Sequence, residues 1–306
     1  MVTSPLLTGV YPVLATPFHA DGSADEAGLV AIVNYAIASG VDGVVYPGFA
    51  SECDWLTQYE RMRLSDLVAR EARGKVSLVV GGSSAETSTT EDVARRAQTQ
   101  LASSLMVMAP RTITATQEVI AYFRRIAAAT GNVSLMLQNA PPPSGGGLPV
   151  SVVLEVLHAV PQIQYVKEEA LPSGARIAQM LAGAPSTLRG VFGGAGGRYI
   201  TDELSRGVIG TMPACELCEV HVALMRAHLG GDRAAVRKWF GRMLPLLNFQ
   251  AVFRWAMTKE TLRRRGIIAH AGKRAPGPEL DEGDHRELSE MLAELADVLS
   301  PPVVNG

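Results

Sequence analysis

Lys167 is the residue of this sequence best placed to form a covalent bond with a substrate. It stands in the segment Ile163-Gln-Tyr-Val-Lys-Glu-Glu169, where a short apolar run typical of a buried strand changes into charged residues. An amine at the end of a buried strand is partly withdrawn from water, which disfavours its charged form. A neutral lysine amine adds to carbonyl groups and forms Schiff bases. The pattern therefore predicts imine chemistry, and a structural ion pair of Lys167 with Glu168 or Glu169 is the alternative.

Polar residues also follow two other predicted strands. Gln138 and Asn139 end the strand that precedes Lys167 in the chain, and the loop Gly48-Phe-Ala-Ser-Glu52 follows an earlier strand. Glu169 supplies a carboxylate for proton transfer, and the loop supplies backbone amides. An amine nucleophile, a proton carrier and amide donors are together what a keto acid substrate requires. The alternatives are that Gln138 only bonds a barrel carbonyl and that Glu169 is only the structural partner of the lysine.

Eight short β-rich runs alternate with amphipathic segments over the first 212 residues. Eight strands alternating with helices are typical of a (β/α)8 TIM barrel, an α/β fold. In such a barrel the catalytic groups lie at the carboxyl ends of the strands, so the polar clusters are expected to meet at one mouth. An open doubly wound sheet is the alternative, but its dinucleotide-binding fingerprint is missing. The predicted strands are Val10–Leu14, Gly43–Tyr46, Val76–Val80, Leu105–Met108, Val133–Leu137, Ile163–Lys167, Leu188–Phe192 and Val208–Met212.

The chain after about Arg226 is predicted to be helical, with segments near 232–247, 249–265 and 285–299. We therefore predict a catalytic barrel over residues 1–225 and a C-terminal helical domain over residues 226–306. The last helix carries an apolar stripe that must pack against the barrel or against a neighbouring subunit. Five helix starts match the capping-box spacing, namely Ser23 with Glu26, Thr57 with Glu60, Ser88 with Glu91, Thr114 with Gln117 and Asp284 with Glu287.

Composition and charge indicate a soluble cytoplasmic protein that acts on a small molecule. The net charge is −2, which gives no electrostatic reason to expect nucleic acid or anionic lipid as a partner. No apolar run approaches the roughly 18 residues of a membrane helix. A signal peptide requires basic residues near its start, and no Lys or Arg precedes Arg61. Cys215-Glu-Leu-Cys218 followed by His221 offers three metal ligands in principle. Small buried thiols on a helix fit this motif better, so we predict neither a metal nor a cofactor.

The order of these motifs resembles the dihydrodipicolinate synthase / N-acetylneuraminate lyase family of Schiff-base barrels. Thr16-Pro-Phe18, the Gly48–Glu52 loop, Asn139-Ala-Pro141 and Val166-Lys-Glu168 follow each other as in that family, over nearly the whole chain. The resemblance implies a homotetramer in which Lys167 forms an imine with a 2-oxo acid. It also implies that the family's carboxylate-binding amides lie at Ala50 and Ser51 of this sequence.

Further residues at the strand ends are expected to line the same substrate pocket. The segment Gly193-Gly-Ala-Gly-Gly197 follows the seventh predicted strand and is interpreted as a tight turn that leaves space for substrate, with phosphate binding as the alternative. The expected lining residues are Gly48, Phe49, Asn139, Gly193, Gly194 and Met212, in addition to the two amide positions.

Several positions depart from the usual pattern of that family. The loop after the second strand usually reads Gly-Thr-Thr-Gly-Glu, and the family's proton-relay tyrosine is replaced by Gln138, whose amide cannot titrate. Pro143 stands where the synthase has a carboxylate-binding arginine. The turn that begins at Gln138, Glu169 two positions after Lys167, and the tail from Thr258 look like a narrower branch, the 2-keto-3-deoxy-L-arabonate dehydratases.

In that branch the resemblance implies that Glu169 acts as acid and base and that Gln138 takes the place of the tyrosine. We therefore expect a lyase that dehydrates a 2-keto-3-deoxy sugar acid to 2-oxoglutarate semialdehyde and water. The alternatives are another lyase or a deaminase of the family acting on a different 2-oxo acid or a pyrroline-hydroxycarboxylate, a dihydrodipicolinate synthase-like aldolase, and a non-catalytic barrel that binds a keto acid.

Overall fold

The computed structural model describes residues 5–299, which form the expected (β/α)8 barrel with C-terminal helices. Each strand pairs in parallel with its neighbours around the sheet, in the order β1-β8-β7-β6-β5-β4-β3-β2. Val13 closes the ring, because it bridges Val45 on one side and Ala214 on the other. The strands are β1 Gly9–Val10, β2 Gly43–Tyr46, β3 Ser77–Gly81, β4 Ser104–Val107, β5 Ser134–Asn139, β6 Ile163–Glu168, β7 Gly190–Gly193 and β8 Gly210–Thr211.

The first and last strands are shorter than the sequence predicts. Pro12 and Pro213 lack the N–H that a regular ladder needs at those positions. The extended chain nevertheless continues, because Tyr11 N–H donates to the Thr211 carbonyl at 2.9 Å and Val13 N–H donates to the Pro213 carbonyl at 2.7 Å. The prolines thus limit the formal strands to two residues each without opening the barrel.

Over residues 5–299, eight α-helices alternate with the strands and three more follow. The barrel helices are α1 Glu26–Ala38, α2 Gln58–Ala72, α3 Thr87–Thr99, α4 Thr116–Thr130, α5 Val150–Ala159, α6 Ser173–Gly183, α7 Ile200–Ser205 and α8 Cys218–Leu229. The C-terminal helices are α9 Arg233–Phe253, α10 Trp255–Arg264 and α11 Glu282–Ala293.

Only one of the five predicted capping boxes forms. The Thr57 hydroxyl accepts from the Glu60 N–H at 3.2 Å, and the Glu60 carboxylate accepts from the Thr57 N–H at 2.9 Å. The other four predictions are wrong, because those helices begin at different residues. Helix α11, for example, starts a turn earlier, where the Asp281 carboxylate accepts from the Asp284 N–H at 2.8 Å. The N-caps of α1, α3 and α4 are Asp25, Glu86 and Ala115, respectively.

Side chains alternate between the barrel interior and the helix layer. On β6, Tyr165 belongs to the interior cluster and Val166 to the outer core, so Lys167 points inward and Glu168 outward. The interior is filled below the lysine by apolar side chains, which are Val45, Val79, Met106, Met136, Tyr165, Phe192 and Met212. This packing leaves space for a ligand only at the carboxyl ends of the strands.

The C-terminal helices cover part of the barrel and reach its mouth. The predicted apolar stripe on α11 is confirmed, since Leu288, Met291 and Leu295 are buried in the common core. Helix α10 approaches the loop after β2, where Trp255 Nε1 donates to the Phe49 carbonyl at 2.7 Å. Among residues 5–299, no helix is both long enough and apolar enough to cross a membrane.

Candidate active site

The three predicted catalytic side chains meet at the carboxyl ends of β5 and β6. Gln138 and Lys167 are direct partners in the sheet register and both point into the barrel. The Lys167 side chain is almost fully buried, and its Nζ lies 3.2 Å from Oε1 of Glu169. Gln138 Nε2 donates to the same carboxylate oxygen at 2.7 Å. Amine, amide and carboxylate therefore form one contiguous cluster.

Glu169 is held in its position from several directions. Its second carboxylate oxygen accepts from the Ala195 N–H at 3.3 Å. A Cβ at Gly194 would lie 2.8 Å from the Glu169 Cδ, so glycine at this position makes room for the carboxylate. Burial alone would raise the pKa of Glu169, but the Lys167 ammonium and the Gln138 amide outweigh it and hold that pKa below its usual range. Glu169 is therefore a carboxylate that can accept a proton.

A cavity of about 290 Å³ opens above this cluster. Lys167 and Glu169 line it. Gln138 lines an adjoining cavity of about 280 Å³ on the side of α2 and α3. Of the residues predicted to bind substrate, those that line the first cavity are Gly48, Phe49, Ala50 and Met212.

The loop after β2 is a short helical turn over Phe49–Ser51. Ser51 supports this turn, because its hydroxyl accepts from the Gly48 N–H at 2.9 Å and donates to the Leu14 carbonyl at 2.5 Å. The Ser51 N–H also donates to the Gly48 carbonyl at 3.0 Å. Thr16 donates to the Ser51 carbonyl at 2.7 Å. Ser51 thus shapes the loop, whereas Phe49 and Ala50 face the cavity.

Asn139 and Glu168 lie on the outer face of the strands, one residue beyond the inward-pointing pair. Asn139 Nδ2 donates to Glu168 Oε2 at 2.9 Å, and the Asn139 side-chain oxygen accepts from the Leu148 N–H at 2.8 Å. Burial raises the pKa of Glu168, while Asn139 and Arg176 partly offset that effect. The structure places Asn139 as a support of the β5 and β6 ends, away from the cavity that contains Lys167.

The glycines after β7 make room for side chains. A Cβ at Gly193 would lie 2.8 Å from Cδ of Glu203, a buried glutamate of α7 whose pKa is raised to about 7 by burial. Gly194 makes room for Glu169, as described above. The residues of this loop that line the cavity are the next two, Ala195 and Gly196.

Lys259 of α10 is a second lysine that is withdrawn from solvent. Its side chain is completely buried and forms an ion pair with the equally buried Glu52. The second Glu52 oxygen accepts the N–H groups of Arg274 and Ala275 at 2.7 and 2.6 Å. Burial lowers the pKa of Lys259 to about 8. The pair fastens the C-terminal segment to the end of the loop after β2.

Further residues line the cavity beyond those predicted from the sequence. Arg198 and Tyr199 follow the loop after β7, so their position beyond a strand end was a usable signal. Gln250, Arg254 and Trp255 come from α9, α10 and their junction, and no periodicity or motif in the sequence places these helices over the barrel mouth.

The Cys215, Cys218 and His221 motif forms part of the packed core. Cys218 Sγ donates to the Cys215 carbonyl at 3.2 Å. The His221 ring packs against Gly197, and burial lowers the pKa of His221 to about 4. Within residues 5–299, no three or more His, Cys, Asp or Glu side chains form a group that could hold a metal ion.

Named relatives are similar to this chain over most of its length. The 4-hydroxy-tetrahydrodipicolinate synthase of Acidobacterium capsulatum is 28% identical over 97% of this chain and 98% of that protein. The synthase of Stenotrophomonas maltophilia is 30% identical over 86% of this chain and 88% of that protein. Both relatives therefore cover most of the barrel.

Solved structures show the same fold. A dihydrodipicolinate synthase from Rhodopseudomonas palustris superposes with a TM-score of 0.88 at 22% identity, over 96% of this chain and 99% of that one. A prophage protein of E. coli K12, from the dihydrodipicolinic acid synthase family and in complex with pyruvate, gives 0.87 at 23% identity, over 96% and 100% of the two chains. The model of the dihydrodipicolinate synthetase family matches residues 6–295. Because this match covers nearly the whole chain, the chain belongs to the dihydrodipicolinate synthetase family.

Proposed function

We propose that the chain is a Schiff-base-forming lyase that dehydrates a 2-keto-3-deoxy sugar acid, with 2-keto-3-deoxy-L-arabonate as the first candidate. Members of its family are lyases of the class I aldolase type, so lyase chemistry is the common ground. The observation that carries the finer proposal is the placement of Glu169. Its carboxylate lies 3.2 Å from Lys167 Nζ and is bonded to Gln138, an amide that cannot relay a proton.

The reaction follows from these groups. Lys167 Nζ adds to C2 of the keto acid, and loss of water gives a protonated imine that withdraws electrons from C3. Glu169 removes a C3 proton, and the enamine then expels the C4 hydroxyl, which takes up the proton and leaves as water. Loss of a C5 proton and tautomerisation give an aldehyde. Hydrolysis of the imine releases 2-oxoglutarate semialdehyde and frees Lys167.

Dehydration and aldol cleavage differ in what happens at the C4 hydroxyl. Cleavage of C3–C4 requires a base that removes the hydroxyl proton, whereas dehydration requires an acid that protonates the departing oxygen. The titratable tyrosine of the family is replaced by Gln138, and Glu169 is the carboxylate beside the imine nitrogen. This arrangement favours loss of water over cleavage of the carbon chain.

The loop after β2 is proposed to hold the substrate carboxylate. Phe49 and Ala50 face the cavity, and Met212 provides an apolar wall. Ser51 contributes by fixing the turn through its bonds to Leu14 and Gly48. From the family resemblance we also propose that the protein is a homotetramer and is cytoplasmic. Light scattering of the purified protein tests the oligomeric state.

The activity assay distinguishes the proposal from its alternatives. The purified protein is incubated with 2-keto-3-deoxy-L-arabonate, and the semialdehyde is followed with a 2-oxoglutarate-semialdehyde dehydrogenase. Pyruvate in the same mixture reports aldol cleavage, and ammonia released from a pyrroline-hydroxycarboxylate reports deamination. We expect semialdehyde from the native chain and none from Lys167→Ala. Pyruvate or ammonia as the main product would refute the dehydratase assignment, and no product from any compound would favour a non-catalytic barrel.

A further inference from the structure

Two arginines line the same cavity as Lys167 and Glu169. Arg198 follows the loop after β7, and Arg254 stands at the break between α9 and α10. Within residues 5–299, neither guanidinium forms an ion pair with a carboxylate. Arginine side chains in a cavity are well suited to bidentate recognition of a carboxylate or phosphate. Arg254 lies over the Trp255 ring, 5.8 Å from its centroid, and Arg198 feels the charge of Glu169 without a direct ion pair, so both guanidinium groups remain able to take an anionic ligand.

The surroundings of Arg198 disfavour its charged form. Partial burial lowers the pKa of Arg198, and the neighbouring charge of Arg254 lowers it further, while Glu169 acts in the opposite direction. A Cβ added at Gly196 would lie 3.3 Å from Arg198 Nη1 and 3.5 Å from Gln250 Oε1. The guanidinium and the carboxamide thus border the same space above the glycine. An anion bound there would relieve the repulsion between the two arginines.

Arg254 is held in an unfavourable backbone conformation. Its φ of 45° and ψ of −115° lie in a region that residues with a Cβ rarely adopt, yet the position is not a glycine. Strained residues of this kind cluster at ligand-binding sites. The junction is fastened to the barrel by the next residue, because Trp255 Nε1 bonds the Phe49 carbonyl at 2.7 Å. Arg254 thus lies at a strained junction that is tethered to the barrel mouth.

We propose that Arg198 and Arg254 bind a second anionic group of the substrate, at the end remote from the carbonyl that Lys167 attacks. The first carboxylate would stay at the loop after β2, which is three strands around the ring from β7, whose loop precedes Arg198. The inference rests on the proposed imine chemistry and concerns its substrate class. It extends that class from 2-keto-3-deoxy-L-arabonate to 2-keto-3-deoxy acids whose far end carries a carboxylate or phosphate.

Matched pairs of 2-oxo acids test this subsite. Dicarboxylic 2-oxoglutarate, 2-oxoadipate and 2-oxopimelate are each compared with the monocarboxylic 2-oxo acid of the same chain length. The imine is reduced with borohydride, and the extent of modification against concentration gives an apparent Kd. We expect at least one dicarboxylate to bind tenfold or more tightly than its partner. This preference should fall to less than threefold in Arg198→Gln and Arg254→Gln and should persist in Arg124→Gln, on the exposed face of α4.

A second arm separates the two sources of anionic charge. 2-Keto-3-deoxy-6-phosphogluconate is compared with unphosphorylated 2-keto-3-deoxygluconate, and a preference lost in both arginine variants assigns the subsite to phosphate. Equal affinities within every pair, or a preference that survives in both variants, would overturn the inference while leaving the imine chemistry intact. Absence of any adduct on Lys167 would overturn the proposed function together with this inference.

Discussion

Replacing Glu169 with glutamine tests the proton-transfer step separately from imine formation. The amide introduced by Glu169→Gln has nearly the same size and keeps one acceptor oxygen, which can serve either Gln138 or the Ala195 N–H, whereas the carboxylate accepts from each through a different oxygen. It loses the negative charge beside Lys167 and the ability to take a proton. The variant therefore removes the base at the cost of one hydrogen bond, with little change in the volume of the side chain.

The expected loss of rate follows from the role of the Glu169 carboxylate as a general base. A positioned general base contributes about 10²- to 10⁴-fold to a rate, which corresponds to about 3–5 kcal/mol of activation free energy. Glu169 is the carboxylate 3.2 Å from the nitrogen that would become the imine. We therefore expect proton removal from C3 to slow by about 10²-fold or more in Glu169→Gln, which is the lower end of the contribution of a general base. Formation of the adduct on Lys167 should persist.

Hydrogen exchange of pyruvate provides the assay, because its methyl group is C3 of the simplest 2-oxo acid. The protein is incubated with pyruvate in D₂O, exchange is followed by proton NMR, and the adduct is trapped with borohydride in parallel. Glu168→Gln is the matched control, since Glu168 is adjacent in sequence but points into the helix layer. A Glu169→Gln protein that forms the adduct and exchanges within threefold of the native rate would refute the assignment of the base.

Three further predictions concern the support of the site. Gly194→Ala should reduce the same exchange at least tenfold, because the new Cβ would collide with Glu169 and displace its carboxylate. Gln138→Leu should shift the acid limb of the exchange rate to higher pH. The active form of Glu169 is the carboxylate, which is lost as the pH falls through its pKa, and removal of the Gln138 amide donor raises that pKa. Lys259→Met should lower the free energy of unfolding in urea by about 3–5 kcal/mol, since it leaves a buried carboxylate without its partner. The exposed Lys238→Met on α9 should change it by less than 1 kcal/mol, as is usual for surface substitutions.

Each of these predictions has a result that contradicts it. Gly146→Ala is the control for the glycine, because a Cβ there meets nothing within 4 Å, and equal activity of the two alanine variants would show that Glu169 tolerates displacement. An unchanged acid limb in Gln138→Leu would mean that the amide does not tune the carboxylate. Equal stability of the two lysine variants would mean that the buried pair contributes nothing to folding.

The barrel and the cluster around Lys167 could be predicted because both follow from local patterns. Apolar runs at regular intervals locate the strands, and the carboxyl-end rule then brings Gln138, Lys167 and Glu169 together. The alternation of side chains along a strand also indicates which residues at the strand ends face the barrel interior and which face the helices. With Gln138 and Lys167 pointing inward, Asn139 and Glu168 must point outward, which explains why the structure pairs them with each other.

The rest of the site depends on contacts between distant segments. Lys259 stands in an amphipathic helix, and only the position of Glu52 in space shows that its amine is buried. Arg254 and Trp255 reach the cavity because α9 and α10 fold back over the mouth, and no short-range pattern reports that path.

Covalent trapping on Lys167 is the most direct measurement of the proposed chemistry. The native protein is incubated with 2-keto-3-deoxy-L-arabonate or pyruvate, reduced with borohydride, digested and analysed by peptide mass spectrometry. We predict one added mass, located on the peptide that contains Lys167 and absent from Lys167→Ala. An unmodified Lys167 with every 2-oxo acid, or an adduct on Lys259 in its place, would contradict the assignment of the nucleophile.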